Sequence, residues 1–388
     1  MLQAFTKITP VDVTPGTQDS YVDVDCSSYI PEGATGVILR VHCASGANQA
    51  VYFRKNGSTD NYYHNMWQYG QFWASVGVDS NRIFECKVST KSYSWVYLVG
   101  YTMGDVTFFT NGVDKTPGTT GSWQDVDCSS EAPGAVALMF HRYADNTILS
   151  LRMNGSTDNR LGDLYYQSGV GAIIGCDSNQ ICECYAESSN ADLILIGYAT
   201  GGVVMNINAV DVSLGTATTW LDIFVNAAAR MAFIEVYSTG ALEYGLRENG
   251  DSEDQHRDAY KVPYAMVGCD DSGYVEGYIE TTGVDFYAVG YAIQPAPNIY
   301  FLFGANPVAG DAHYLKLDVE AVKQCWGYLP FSVGQIIDQA ARYLQFGPGA
   351  TPSLDGSYLP WIITAVPRIP KPITGAWYQR LSSVKKTI

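Results

Sequence analysis

Three arginines, three aspartates and three glutamates recur at matching places along the chain, and these side-chain types could together hold a sugar or a divalent ion. The recurring positions are Arg54, Arg152, Arg247, Asp79, Asp177, Asp270, Glu85, Glu183 and Glu276. Guanidinium and carboxylate groups make strong charge-assisted hydrogen bonds, and carboxylate oxygens are ligands that calcium prefers. The same residue types also form internal Arg–carboxylate pairs and Asp-capped turns. We favour the internal role, because it explains every residue type involved.

Each recurring arginine leads into a turn with an Asn-Gly pair. The three turns read RKNGSTDN from position 54, RMNGSTDN from position 152 and RENGDSED from position 247. Asn and Gly both tolerate positive φ, so the pair predicts a hairpin-type turn. We expect the acidic residues after the turns to be solvated; they are Asp60, Asp158 and Glu253.

The repetition extends over a whole small domain. TPGTQDSYVDVDCSS at 14–28 returns as TPGTTGSWQDVDCSS at 116–130 and as SLGTATTWLDIFVNA at 213–227. Each copy contains short apolar or alternating runs divided by Gly, Asn, Asp and Pro, a pattern typical of an antiparallel sandwich. The sequence therefore predicts three tandem β-sandwich, jelly-roll-like domains at 1–101, 102–198 and 199–291.

One strand of each copy shows which side chains should face the core. In RIFECKV, Phe84, Cys86 and Val88 alternate with residues that include Glu85. Period-two alternation places the small and apolar set inward and the glutamate on the opposite face. The corresponding inward residues of the other copies are Cys182, Cys184, Ala186, Val275, Gly277 and Ile279.

The region after the turn differs most between the copies. In the first copy it reads YYHNMWQYGQFWA at 62–74, and we expect an exposed loop there. Aromatic side chains of this kind stack on glycan rings or become buried in a subunit contact, and both alternatives remain open. The candidate ligand or interface residues are His64, Trp67, Tyr69 and Trp73.

Composition and charge exclude several classes of function. The formal net charge of −16 is opposite in sign to that of a nucleic-acid binder, and no apolar run is long enough to cross a membrane. The N-terminus shows no secretory signal, so we expect synthesis in the cytoplasm or export by a route that needs no N-terminal signal. The five histidines show no metalloprotease spacing, and no nucleophile elbow occurs. We therefore expect no enzyme activity and no cofactor, although carboxylates brought together in a sandwich leave a polysaccharide-degrading enzyme as a third alternative.

The nine cysteines are expected to be reduced and packed. An odd number argues against a closed set of disulfides. Cys182 and Cys184 form a C-x-C pair, but no second Cys/His pair stands at ligand spacing, so no metal site is expected.

The last hundred residues, 292–388, differ from the repeats and predict an α+β region that ends in an extended arm. Residues 332–346 carry an apolar stripe at helical spacing. From position 356 onward there are five Lys and Arg and no Asp or Glu, together with four prolines that favour an extended chain. A basic, aromatic arm suits docking on an acidic neighbour. The arm residues chosen are Trp361, Arg368, Lys371, Trp377 and Arg380.

The stretches DVDCSSYIPEGATGVILRV and FRKNGSTD resemble β-domains of structural proteins of tailed-phage virions. The resemblance covers the three repeats and implies a capsid-surface, tail or fibre protein, assembled in the host cytoplasm and located in the virion. Its implied partners are further copies of itself and other virion proteins. We expect the C-terminal region to mediate assembly and the repeats to project outward. The alternative is an adhesin that binds host-surface glycans through the variable aromatic loops.

Overall fold

The computed structural model describes residues 3–43, 49–66, 69–164, 168–238, 240–258 and 263–293. The predicted C-terminal region, with its helix and its arm residues, lies outside this range, as do Trp67 and Cys325. The described strands all belong to one compact unit, Leu2–Gln294. Apart from a single 3-10 turn at Lys91–Tyr93, every regular element of the described residues is a β-strand.

The first eight strands form the first sandwich. They are β1 (Phe5–Asp12), β2 (Val22–Asp25), β3 (Ala34–Cys43), β4 (Gln49–Lys55), β5 (Tyr63–Met66), β6 (Gln71–Gly77), β7 (Ile83–Val88) and β8 (Ser94–Met103). One sheet has the order β1-β8-β3-β6 and the other has the order β2-β7-β4-β5. All pairings within the two sheets are antiparallel.

The second sandwich repeats this order with the next eight strands. They are β9 (Val106–Asp114), β10 (Trp123–Asp127), β11 (Ala137–Ala144), β12 (Thr147–Met153), β13 (Asp163–Leu164), β14 (Ser168–Gly175), β15 (Ile181–Ala186) and β16 (Ala191–Ala199). Its sheets are β9-β16-β11-β14 and β10-β15-β12-β13.

The third sandwich contains the last eight strands and has the same order again. They are β17 (Val203–Asp211), β18 (Leu221–Phe224), β19 (Ala229–Ser238), β20 (Glu243–Glu248), β21 (Arg257–Asp258), β22 (Tyr264–Gly268), β23 (Tyr274–Ile279) and β24 (Val284–Ile293). Its sheets are β17-β24-β19-β22 and β18-β23-β20-β21.

This strand order is that of the jelly roll, in which eight strands wind between two facing four-stranded sheets. The all-β prediction of tandem jelly-roll-like sandwiches is therefore confirmed for the described residues. The predicted domain limits remain predictions.

The predicted inward and outward faces of the repeated strand agree with the structure. In β7, β15 and β23 every second residue is buried, and these are the residues chosen from the sequence. Phe84, Cys86 and Val88 have no exposed surface, and the alternate residue Glu85 is only partly covered. Period-two alternation thus fixes which face of each strand fills the core.

Candidate functional site

The recurring arginine and glutamate lie directly opposite each other on neighbouring strands of every sandwich. Arg54 donates from Nε and Nη2 to the two carboxylate oxygens of Glu85, at 2.8 and 3.0 Å. Its Nη1 donates to the carbonyl oxygen of Asp60, which closes the Asn-Gly turn. The hydrogen bond with Glu85 raises the pKa of Arg54 despite partial burial. We call these Arg–Glu pairs the frame pairs, and the other two are Arg152–Glu183 and Arg247–Glu276.

An aromatic ring covers the guanidinium of each frame pair. The ring centroid lies 3.7 Å from Cζ of Arg54 for Tyr21, 4.1 Å from that of Arg152 for Trp123, and 4.0 Å from that of Arg247 for Trp220. The ring thus covers one face of the guanidinium, while its nitrogens donate to the carboxylate and to the turn carbonyl. The geometry thus assigns these nine residues to internal support of the hairpins.

The recurring aspartate caps the turn before β7, β15 or β23. Asp79 accepts hydrogen bonds from the backbone amides of Asn81 and Ile83 and from the side-chain amide of Asn56, each at 2.9 Å. Burial opposes ionisation, but these hydrogen bonds hold the pKa of Asp79 below its usual value. The equivalent caps, on which the same pattern is seen, are Asp177 and Asp270.

The Asn-Gly turn also reaches across to the sandwich that follows it in the chain. Ser58 Oγ and the Thr59 amide both donate to Asn111 Oδ1 of β9, each at 2.9 Å, and the Gly112 amide donates to Asp60 Oδ2 at 2.7 Å. We call this contact between the first and second sandwiches the first joint. Asp60 was expected to be solvated, and that expectation is wrong because its carboxylate binds the next sandwich.

The second joint, between the second and third sandwiches, repeats the arrangement. Ser156 Oγ and the Thr157 amide donate to Asn208 Oδ1 of β17, at 2.9 and 2.8 Å, and the Ala209 amide donates to Asp158 Oδ2 at 2.7 Å. Asp158, like Asp60, is thus a joint residue rather than a solvated one.

Ion pairs of Arg160 strengthen the second joint. Arg160 bridges Asp158 and Glu235 of β19, with nitrogen–oxygen distances of 2.9 Å to each carboxylate. Glu235 is almost fully buried, and burial raises its pKa while Arg160 opposes the rise.

The third sandwich returns to the first through the closing joint. Lys7 of β1 pairs with Glu248 of β20 and donates to the carbonyl oxygen of Cys269. Arg40 of β3 donates to Glu253 at 2.6 Å, so this turn residue too is in a joint rather than solvated. The three sandwiches therefore close into a ring.

The closing joint also has a buried neutral part. Gln71 Nε2 donates to the Tyr244 carbonyl oxygen at 2.7 Å, and the Tyr244 hydroxyl donates to the Gln71 carbonyl oxygen at 2.9 Å. Trp73 packs beside Tyr244, with 6.5 Å between the ring centroids.

The aromatic candidates lie partly in these joints. Trp73 is 2% exposed in β6, and His64 is 6% exposed in β5, so the expectation of an exposed loop is wrong for both. Residues 71–77 form a strand on which Trp73 packs against Tyr244 of the third sandwich, while His64 packs against Phe72 and His141, so neither residue is open to an outside ligand. Tyr69 is 47% exposed, as expected, and Trp67 lies outside the described residues.

All eight described cysteines are buried and none of them forms a disulfide with another described cysteine, and burial raises the pKa of Cys86 and Cys184. In the described part of the chain no group of three or more His, Cys, Asp or Glu is placed to hold a metal ion. Over the same residues, no helix has the length and apolar character that crossing a membrane requires.

Comparisons with known proteins add the following findings. No family model and no curated protein sequence matches the chain. A chain of the Sulfolobus turreted icosahedral virus structure is 10% identical, covers 75% of this chain and 92% of its own, and has a TM-score of 0.21. A second archaeal virus structure, described by its triple jelly roll fold and turret assembly, is 9% identical, covers 74% and 90%, and has a TM-score of 0.21.

A third similar structure is the N-terminal CBM22-1–CBM22-2 tandem domain of Xyn10C from Paenibacillus barcinonensis. It is 9% identical, covers 75% of this chain and 98% of its own, and has a TM-score of 0.17. Scores of this size carry no argument, so the class of the protein rests on its own strand order. By that order, the described part of the chain is a triple jelly roll.

Proposed function

We propose that the protein is a structural component of a virus particle that self-assembles through its C-terminal region and displays the jelly rolls on the surface. A tailed-phage capsid-surface, tail or fibre protein is the form that the sequence resemblance favours. The proposed partners are further copies of this chain and other virion proteins, and the proposed location is the virion. The proposal assigns the chain no catalytic role and no cofactor.

One observation carries the proposal: the polar side chains that recur in the three sandwiches form internal contacts that support the structure. The frame pairs stabilise each hairpin and the aspartates cap turns. The Ser-Thr-Asp turns of the first two sandwiches donate hydrogen bonds to the next sandwich. Repetition here serves construction, as expected of a building block. The jelly roll is itself a fold that capsid and lectin domains share.

Deletion of 356–388 tests the role of the C-terminal region. We expect the shortened chain to remain folded and soluble but to be a monomer by light scattering, while the full chain forms a defined oligomer. A full chain that stays monomeric, or a shortened chain with unchanged oligomers, would contradict this assembly role. Finding the protein by mass spectrometry in purified particles from infected cells tests the virion location separately.

The second candidate function is glycan binding, and the aromatic residues over the frame pairs favour it. Trp123 lies beside Tyr185 with its Nε1 donating to Asn159, and Trp220 lies beside Tyr278 with its Nε1 donating to Asp254. Each indole is partly exposed, which suits stacking against a sugar ring.

A glycan array distinguishes this candidate from a purely structural role. Binding that is lost in Trp123→Ala or in Trp67→Ala, with an unchanged far-UV spectrum, would support the adhesin. Trp73 is unsuitable for this test, because its substitution disturbs a buried joint. Absence of binding by the intact chain to every glycan would leave the structural role alone.

A further inference from the structure

The three joints use the same positions of the jelly roll but fill them with different, matched side chains. Arg40, His141 and Glu235 occupy equivalent positions in the three jelly rolls. Each lies opposite a residue of the last strand, and that same residue lies opposite an aspartate of the first strand. Each faces the loop of the preceding sandwich. Arg40 meets an acidic partner, Glu253, whereas Glu235 meets a basic one, Arg160.

The first joint has neutral groups at this place. His141 Nδ1 lies 3.2 Å from His64 Nε2, and the Tyr62 ring stacks on the His141 ring at 5.4 Å. At this position the closing joint therefore has a cation facing an anion, the first joint has a neutral ring facing neutral rings, and the second joint has an anion facing a cation.

A second set of equivalent positions shows the same matching. Lys7, Phe108 and Met205 each pair with the glycine near the end of the sandwich's last strand. At the closing joint Lys7 forms an ion pair with Glu248. At the first joint the Lys55 ammonium donates to the Phe108 carbonyl oxygen, at 3.3 Å.

The second joint is apolar at this second set of positions. Met205 Cβ and Met153 Sδ stand 2.7 and 2.9 Å from the point where a Cβ on Gly175 would lie, so the two side chains converge beside this glycine. Lysine or glutamate from another joint would be half-buried there without an ion-pair partner, which carries a desolvation cost.

We propose that these matched pairs fix the cyclic order of the three sandwiches and select the first sandwich as the partner of the third. An exchanged pairing would set Arg160 against Arg40 or Glu253 against Glu235, and like charges at such a depth are strongly unfavourable. The joint is a head-to-tail contact, which forms an open assembly if it does not close into a ring. Because the closing joint lacks a covalent link, its charges decide between a closed ring and exchange of the first sandwich between copies.

Charge reversal in the full chain tests this inference independently of the proposed function. The variants are Arg40→Glu, Glu253→Arg and the double variant that carries both substitutions. Lys91→Glu and Glu32→Arg, at exposed positions outside the joints, are the controls. Hydrogen exchange of β1 and β22 reports opening of the closing joint, while β9 and β17 report the other two. Light scattering after size exclusion reports exchange between copies.

We expect each single charge reversal to accelerate hydrogen exchange in β1 and β22 by about tenfold or more. Hydrogen-exchange rates in β9 and β17, and all rates in the two control variants, should stay within about threefold of those in the unaltered chain. The double variant, in which the two charges are swapped, should restore slow hydrogen exchange in β1 and β22 and a single molecular size by light scattering. A double variant that exchanges faster than either single variant would overturn the inference, as would equal acceleration at all three joints. If Arg40→Glu does not fold, the more exposed Lys7→Glu, Glu248→Lys and their double exchange give the same test.

Discussion

His64 of the first sandwich and His141 of the second meet across the first joint, with Nε2 and Nδ1 3.2 Å apart. The His64 ring also stacks on Phe72 with its plane tilted by only 3°. Burial lowers the pKa of His64 to about 3 and lowers that of His141 well below its usual value. Both imidazoles are therefore neutral in the folded protein near neutral pH.

The pair predicts that acid weakens the first joint. A histidine whose folded pKa lies below the unfolded value of 6.5 holds its proton less tightly when folded, so its stabilising effect is complete above about pH 6.5. The effect is lost as the pH falls from about 6.5 towards 3. Between pH 7 and pH 5, His64 alone should cost about 2 kcal/mol of unfolding free energy.

Urea unfolding at several pH values checks this prediction against a His64→Gln/His141→Gln control, which keeps neutral polar groups at both positions. The unaltered chain should lose more stability on acidification than the control does. Parallel loss in both proteins would show that other groups dominate the acid response.

The frame pairs predict a structural role rather than a ligand role. Replacing Arg152 by Ala leaves Glu183, which is 15% exposed, without its bidentate partner, and should lower the unfolding free energy by about 2 kcal/mol. The Arg152→Met/Glu183→Met double variant removes both charges and should be less destabilised than the sum of the singles. Strict additivity in denaturant unfolding would show that the pair is not coupled.

Much of the fold was predictable because the repeated frame pairs and inward-facing residues act within their own sandwich. Arg54 and Glu85 recur together because they face each other on paired strands, and Cys86 recurs as an inward residue because alternation fixes its face. Such local constraints are copied with the domain, so a comparison of the three copies finds them.

The joints escaped prediction because their residues are matched between sandwiches rather than within one. Arg40, His141 and Glu235 occupy one position but differ in charge, so they resemble ordinary variation between copies. The signal in the sequence is the change of the turn from STDN to DSED in the third copy, which places Glu253 where the other copies have aspartate. Trp73 was misplaced for the same reason, since its cover comes from the third sandwich.

The asparagine of the first strand predicts a difference between the joints. Asn111 and Asn208 each accept hydrogen bonds from the turn of the preceding sandwich. When the first strands are aligned by their paired aspartates, β1 has Thr9 at the position of this asparagine and Pro10 at the next position. Asn111→Ala should therefore speed hydrogen exchange in β9 and cost about 1 kcal/mol, because the Ser58 hydroxyl and the Thr59 amide lose their acceptor.

Thr9→Asn is the matched control for this prediction. It should not tighten the closing joint, because proline at position 10 has no amide hydrogen to donate to the turn. Faster hydrogen exchange in β1 or β17 of the Asn111→Ala variant, equal to that in β9, would mean general rather than local loosening.

The glycine that ends β6 predicts a steric limit at the first joint. A Cβ on Gly77 would stand 2.6 Å from Cβ of Phe108, the residue through which β9 crosses the end of the first sandwich. Because that distance is far inside van der Waals contact and Phe108 is fixed in a strand, Gly77→Ala should push β9 away and cost about 1–3 kcal/mol. Gly118→Ala is the control, since nothing lies within 4 Å of its Cβ position. Thermal unfolding should show a lower midpoint for Gly77→Ala alone, and equal midpoints for the two variants would mean that the joint yields to the methyl group without strain.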